Sequence, residues 1–237
     1  MLLRVILYLV YTVYCLGFEW AAAIVGQRCK RAAWQDAYKW LVILCWVTVV
    51  VEMTDHCFIL LRVQHHIFYN IWGYFETGGI IFIQRRLLKQ QWTKHLLTAM
   101  LILLTIGTAA NYVWGPPLND LNPPFQLFTL FIQLIGTCAA LIDILGDKTT
   151  AVPLSAQPAF WMNAGMLFYC SVFVLNYIFL LFFRSPGPIG WFFLVCSLIA
   201  NTFMYGGFIA CFLTLKKQPY GPTAGSVPDL HSVPSGN

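Results

Sequence analysis

The chain has 237 residues, of which 59% are hydrophobic, 16% aromatic and only 10% charged. An ordinary soluble domain carries about 25% charged residues and could not cover its surface with so few, so a soluble globular fold is excluded and an integral membrane protein with one membrane domain is expected. The formal net charge of +5 would suit a nucleic-acid partner, but the placement of the charges along the chain argues against one.

A hydrocarbon core about 30 Å thick takes roughly 20 apolar residues per helix. Seven segments meet that requirement and predict an all-α, polytopic membrane helix bundle over residues 1–216, with a tail at 217–237. The first is Leu2–Gly26. Its start also has the form of a signal peptide, with Arg4 ahead of an apolar run and three alanines at Ala21–Ala23. The positive charges directly after the run oppose cleavage, so the segment is taken as a span. The second is Tyr38–Leu61, and the third, Ile67–Ile83, is short and interrupted by Asn70, Gly73, Glu76, Gly78 and Gly79. The fourth and fifth, Leu96–Trp114 and Phe125–Leu145, are joined by the stretch NYVWGPPLNDLNPP, whose two proline pairs favour turns over helix. Tyr112 and Trp114 in that stretch suit a membrane–water interface. The sixth, Pro158–Phe183, is long enough to require tilt. The seventh, Gly190–Leu215, leads into QPYGPTAGSVPDLHSVPSGN, a tail without apolar periodicity that is expected to be disordered.

Loop charges set the expected orientation. One side holds eleven basic residues, Arg28, Lys30, Arg31, Lys39, Arg85, Arg86, Lys89, Lys94, Lys148, Lys216 and Lys217, and the other holds three, Arg4, Arg62 and Arg184. The positive-inside rule then places the N-terminus outside and the C-terminus in the cytoplasm. The basic charge is therefore topological and suits anionic lipid head groups rather than nucleic acid. The eight cysteines fall mostly within apolar spans, Cys29 being placed in a basic loop, and form no CxxC pair, so they act as small buried hydrophobes.

The polar interruptions carry the functional information. In VVVEMTDHCFILLRVQHH, Val49–His66, the side chains of Glu52, Asp55 and His56 stand at i, i+3 and i+4 and share one helical face. On the expected orientation this face lies in the outer half of helix two. His65, His66, Tyr69 and Asn70 follow at the outer entrance to helix three. Acidic groups inside a membrane are costly and turn toward protein or a water-filled cavity, which predicts an outward-facing polar pocket. Three readings compete: a structural hydrogen-bond network, a small-molecule or proton-sensing pocket, and a metal site on Glu52, Asp55, His56 and one of His65 or His66. Imidazole and carboxylate would suit zinc, yet no ligand motif is present, and neither a metal nor a cofactor is expected. Glu76 lies near the middle of helix three, where an ionised carboxylate is least tolerated, and shares its face with Tyr69, Trp72 and Gly73. It is either a carboxyl bonded to a neighbouring helix or a coupling group. Glu19 and Asp143 are expected near the cytoplasmic ends, reaching basic loops or head groups. Gln133, Asn163, Asn176 and Asn201 are expected as interhelical hydrogen-bonding groups.

Sharper activities lack their residues. The seventh span contains no lysine for a retinal Schiff base, the inner side offers only His95 toward a pair of haems, and serine-hydrolase, P-loop and zincin motifs are absent. No enzyme is expected. The segments WLVILCWVTVVVE, HIFYNIWGYFETGGIIF and QPAFWMNAGMLFYCSVFVLNYIF together resemble a poorly characterised family of bacterial seven-helix membrane proteins. The resemblance covers Leu2–Lys216 and rests on Glu52, on Tyr69, Asn70 and Glu76, and on Pro158, Phe160 and Trp161. Asp55 and His56 are not part of that pattern. It implies a stand-alone module of the inner (plasma) membrane, often associated with sensor histidine kinases. The expected function is a sensory or accessory signalling role with ligand- or proton-binding residues Glu52, Asp55, His56, Tyr69, Asn70 and Glu76. The alternative is a small-solute or proton-coupled transporter or channel subunit.

Overall fold

The computed structural model describes residues 2–29, 36–61, 66–116, 122–146, 153–182 and 189–217. Within them the chain forms seven α-helices: α1 (Leu2–Cys29), α2 (Asp36–Leu60), α3 (His66–Leu87), α4 (Gln91–Trp114), α5 (Pro123–Gly146), α6 (Pro158–Phe182) and α7 (Ile189–Lys217). A single 3-10 turn, Leu154–Ala156, precedes α6, and no strand occurs among the described residues. Each predicted span coincides with one helix. Five helices, α2, α4, α5, α6 and α7, are long and apolar enough to cross a membrane. The expected tail lies outside the described residues beyond Lys217, as do His65, Arg62, Arg184 and the side chains of His66, Tyr69 and Arg4.

Helix ends follow local chemistry. Asn122 accepts a hydrogen bond from Phe125 N at 3.2 Å and donates to Asn111 Oδ1 at 2.7 Å. It thereby caps α5 and ties it to the end of α4, while Pro123 and Pro124 occupy first-turn positions where a missing N–H costs nothing. Helix α4 begins five residues before the predicted Leu96, in the polar stretch QWTKH. The reason is Asp143 of α5, which is 4% exposed. Its carboxylate accepts from Lys89 N at 3.0 Å, Gln90 N at 3.1 Å and Thr93 Oγ1 at 3.0 Å. Two of these donors are the backbone amides just ahead of the first turn of α4 and the third is a first-turn hydroxyl, so the carboxylate holds the helix start in place. Asp143 was expected to reach basic loops or head groups, and it does reach the basic α3–α4 connection, where it clasps the backbone at Lys89 and Gln90. Cys29, expected in a loop, closes the last turn of α1 and is buried.

Helix packing closes a ring. Helix α1 packs on α2, α2 on α3, α3 on α5, α5 on α6, α6 on α7, and α7 on α1, while α4 packs outside against α3 and α5. The surface is apolar and the interior partly polar, the reverse of a soluble domain. Val13 is 70% exposed, Val113 69% and Trp114 83%, whereas Glu19 is 4% and Gln84 0% exposed. Such an inversion follows when the surrounding medium is hydrocarbon, where apolar side chains face outward and ionisable groups turn inward. The architecture is that of a multi-pass membrane protein.

The closest helix approach is between α6 and α7. A Cβ on Gly165 would stand 2.7 Å from Phe203 O, and one on Gly207 would stand 2.7 Å from Trp161 O. Backbone faces backbone on both sides, as at small-residue crossings of membrane helices, so neither neighbour can swing aside. The crossing abuts an apolar layer built from Leu41, Val42, Ile83, Met162, Met166 and Phe212, each at most 2% exposed. Gly207→Val should therefore force α6 and α7 apart and cost roughly 1–3 kcal/mol, the usual range for overpacking a close-packed site. A fall in the midpoint of thermal unfolding in detergent checks this, with Gly206→Ala, which meets nothing within 4 Å, as the control.

Candidate functional site

Each lining helix contributes one face to an interior cavity of about 420 Å³. From α1 come Tyr11, Cys15 and Glu19, spaced at i, i+4 and i+8; from α2 come Glu52, Asp55 and His56. Helix α3 supplies Trp72, Gly73 and Glu76, and α5 supplies Gln126, Thr129 and Gln133. The wall from α6 is a stripe of rings, Tyr169, Phe173 and Tyr177, with centroids 4.6 Å apart for the first pair and 6.4 Å for the second. Helix α7 adds Ser197, Asn201 and Tyr205, while α4 lines none of it. All three glutamates of the chain thus meet in one chamber. Its volume is in the range of small-molecule pockets.

The chamber occupies one end of the bundle. Its residues run from Tyr11 to Glu19 of α1, Glu52 to Ile59 of α2, Trp72 to Thr77 of α3, Gln126 to Gln133 of α5, Tyr169 to Tyr177 of α6 and Phe193 to Tyr205 of α7, so the chamber reaches from that end to the middle of the up-and-down bundle. Arg28, Lys39, Arg85, Arg86, Lys216 and Lys217 mark the opposite end. Between the two lies a buried polar layer, in which Gln84 donates to Thr137 Oγ1 at 3.0 Å and to Asn163 Oδ1 at 2.8 Å. The apolar layer of Leu41, Val42, Met162, Met166 and Phe212 accompanies it.

The hydrogen bonds set several orientations. His56 Nδ1 lies 2.7 Å from Glu52 O; a carbonyl can only accept, so Nδ1 carries the proton. In the neutral ring Nε2 is then an acceptor, and it meets the Thr12 hydroxyl at 3.1 Å, joining α2 to α1. Tyr205 lies beside Glu19. Among the described residues Glu19 Oε2 has no hydrogen-bond partner although it is buried, and the indole N–H of Trp72 is likewise unpaired. Glu19 lies within electrostatic reach of Glu52 and Glu76, and Glu52 within reach of Asp55. Among the described residues, no three of the His, Cys, Asp and Glu side chains converge closely enough to hold a metal ion.

Of the residues singled out from sequence, Glu52, Asp55, His56 and Glu76 line the chamber. Asn70 is buried just beyond it and accepts from Gln126 Nε2 at 3.5 Å; the side chain of Tyr69 lies outside the described residues. The sequence expectation for Glu19, near a cytoplasmic end, is corrected. Helix α1 continues ten residues beyond it to Cys29, so Glu19 sits well inside the helix and faces the chamber. Gln133 and Asn201, expected as interhelical hydrogen-bonding groups, also line the wall, and Asn201 donates weakly to Cys15 Sγ at 4.0 Å. The tyrosine–phenylalanine–tyrosine stripe of α6 was missed. Its i, i+4, i+8 spacing was the available signal, although aromatic residues on an apolar helix are usually core.

The fold and site together define a multi-pass helical membrane protein with an acidic, aromatic-walled interior chamber. No protein family, curated protein or solved structure matches the chain. The α1–α2 contact offers a direct check on the chamber wall. Thr12→Val keeps shape but removes the hydroxyl that His56 Nε2 accepts from, so it should cost about 1 kcal/mol, read as a lower unfolding midpoint in detergent.

Proposed function

We propose that this protein is a non-enzymatic sensory or accessory signalling module of a bacterial inner membrane, binding a small ligand or a proton in the interior chamber. The carrying observation is the convergence of Glu19, Glu52 and Glu76 on one cavity that reaches from the middle of the bundle toward the end opposite Arg28, Lys39, Arg85, Arg86, Lys216 and Lys217. Carboxylates are too costly in a membrane to be gathered there without compensation. On the positive-inside orientation, the chamber faces the outside and the basic ends face the cytoplasm. The short basic connections there are too small for a catalytic domain and suit contact with anionic lipid and with a membrane-bound partner. The resemblance noted in the sequence makes a histidine kinase the expected partner.

The same carboxylates would serve a proton-coupled transporter, and one observation favours the sensor. A transporter needs a route onward from its site, whereas beneath this chamber the Gln84–Thr137–Asn163 layer and a packed apolar layer separate it from the basic end. A ligand bound in such a chamber would act by shifting the helices around it, since it can bias only states for which its affinity differs.

Two measurements test this reading. Protein reconstituted in liposomes under an imposed pH gradient should carry no proton flux, and Glu76→Gln should behave identically. Substrate uptake that Glu76→Gln abolishes would replace the sensor by a transporter. A tag at Asn237 should react with an impermeant reagent only after cells are permeabilised. Labelling on intact cells would invert the orientation and turn the chamber toward the cytoplasm.

A further inference from the structure

The chamber's chemistry also restricts what can occupy it, on the reading above that it is a ligand site. Its wall carries Glu19, Glu52, Asp55 and Glu76, and among the described residues no lysine or arginine lines it. An anionic ligand would bring further negative charge among carboxyl groups that already oppose one another's ionisation. Glu19 lies beside Tyr205, and among the described residues its Oε2 is buried without a hydrogen-bond partner. A buried acceptor in that state is costly and calls for a donor. The side chain is 4% exposed and lines the cavity, so the missing donor fits on the cavity side.

Two classes of cation could supply compensating charge. A bare metal ion needs several ligands at close range, and among the described residues no three His, Cys, Asp or Glu side chains gather so closely. The acidic groups are instead spread over α1, α2 and α3 around a space of about 420 Å³, large enough for an organic molecule. The opposing α6 wall is the Tyr169–Phe173–Tyr177 stripe. Ring faces attract ammonium groups and also pack against apolar bodies. We infer that the chamber binds a small organic ammonium ion, its N–H groups donated to Glu19 Oε2 and the neighbouring glutamates, its apolar body against the α6 rings.

Purified full-length protein in lipid nanodiscs tests this by tryptophan-fluorescence titration, since Trp72 lines the wall. The probes are phenethylammonium and butylammonium, the neutral 2-phenylethanol, the anionic 3-phenylpropionate, and the chlorides of sodium and zinc. Saturable binding of an ammonium probe is expected, at least tenfold tighter than 2-phenylethanol, with no competition from sodium or zinc. Glu19→Gln, which keeps shape, should weaken ammonium binding tenfold or more. Glu52→Gln should weaken it too and serves if the first variant does not fold. Equal affinity for 2-phenylethanol, displacement by zinc or sodium, or unchanged ammonium affinity in both variants would overturn the assignment. Saturable binding of the alcohol or the carboxylate alone would end the ammonium class while leaving the chamber a ligand site. No saturable binding by any probe would remove both. Ammonium binding accompanied by flux in the liposome experiment would uphold the ligand class and remove the sensor role.

Discussion

Hydrocarbon solvates neither a charge nor an unpaired backbone group, and this constraint organises the whole molecule. Helices answer the backbone half of the problem because their hydrogen bonds are internal. The side-chain half is answered by direction: Val13, Val113 and Trp114 point outward while Glu19, Asp55, Gln84 and Asp143 are buried. Once the acidic groups of α1, α2 and α3 must all turn away from lipid, the helices that carry them have to surround a common interior. The ring from α1 through α3, α5, α6 and back to α1 by way of α7 is that enclosure. Helices α6 and α7 complete the enclosure without acidic residues of their own, and α4 packs outside it against α3 and α5.

Within the ring, buried polarity is used in two different ways. At Asp143 three donors are aimed at the carboxylate: two loop amides and the Thr93 hydroxyl. That group is satisfied within the chain and holds the start of α4 in place. In the chamber the balance is incomplete, for among the described residues Glu19 Oε2 and the Trp72 indole N–H are buried and unpaired. Buried polar groups in folded proteins are overwhelmingly paired; Gln84 Oε1 in the layer beneath is unmatched too, so what sets the chamber apart is that its unmatched groups border a cavity. The same chain thus contains both a finished clasp and an unfinished one, at opposite ends of the bundle.

The rigid half and the open half are complementary. Backbone contact at Gly165 and Gly207, the Gln84 layer and the packed side chains beneath it leave little freedom near the basic end. The chamber half is built from long side chains around empty space, with its helices tied by contacts such as Thr12 to His56. Changes in the chamber would be felt as small shifts of α1 and α2 relative to the α6–α7 crossing, because packed interfaces move between discrete arrangements rather than deform smoothly.

What could be foreseen from sequence depended on how far apart the relevant residues lie. The spans were legible because hydrophobicity and length act locally, as was the shared face of Glu52, Asp55 and His56, which are separated by less than one turn and a half. The Asp143 clasp was not, since its partners are some fifty residues away and nothing near Asp143 announces them. Glu19 was misjudged for a related reason: an estimate of α1 ending at Gly26 shifted it toward a helix end, and only the packing of α7 brings Tyr205 to it. The α6 rings carry no polar signal and became a wall through the position of their helix in the ring. Sequence alone determined that this chain is a helical membrane protein with a few acidic groups that must avoid lipid, because solvent preference is a property of each residue. Which of those groups would meet, and which would be left without a partner, was decided only by the order in which the helices close the ring, because that depends on contacts summed over the whole bundle.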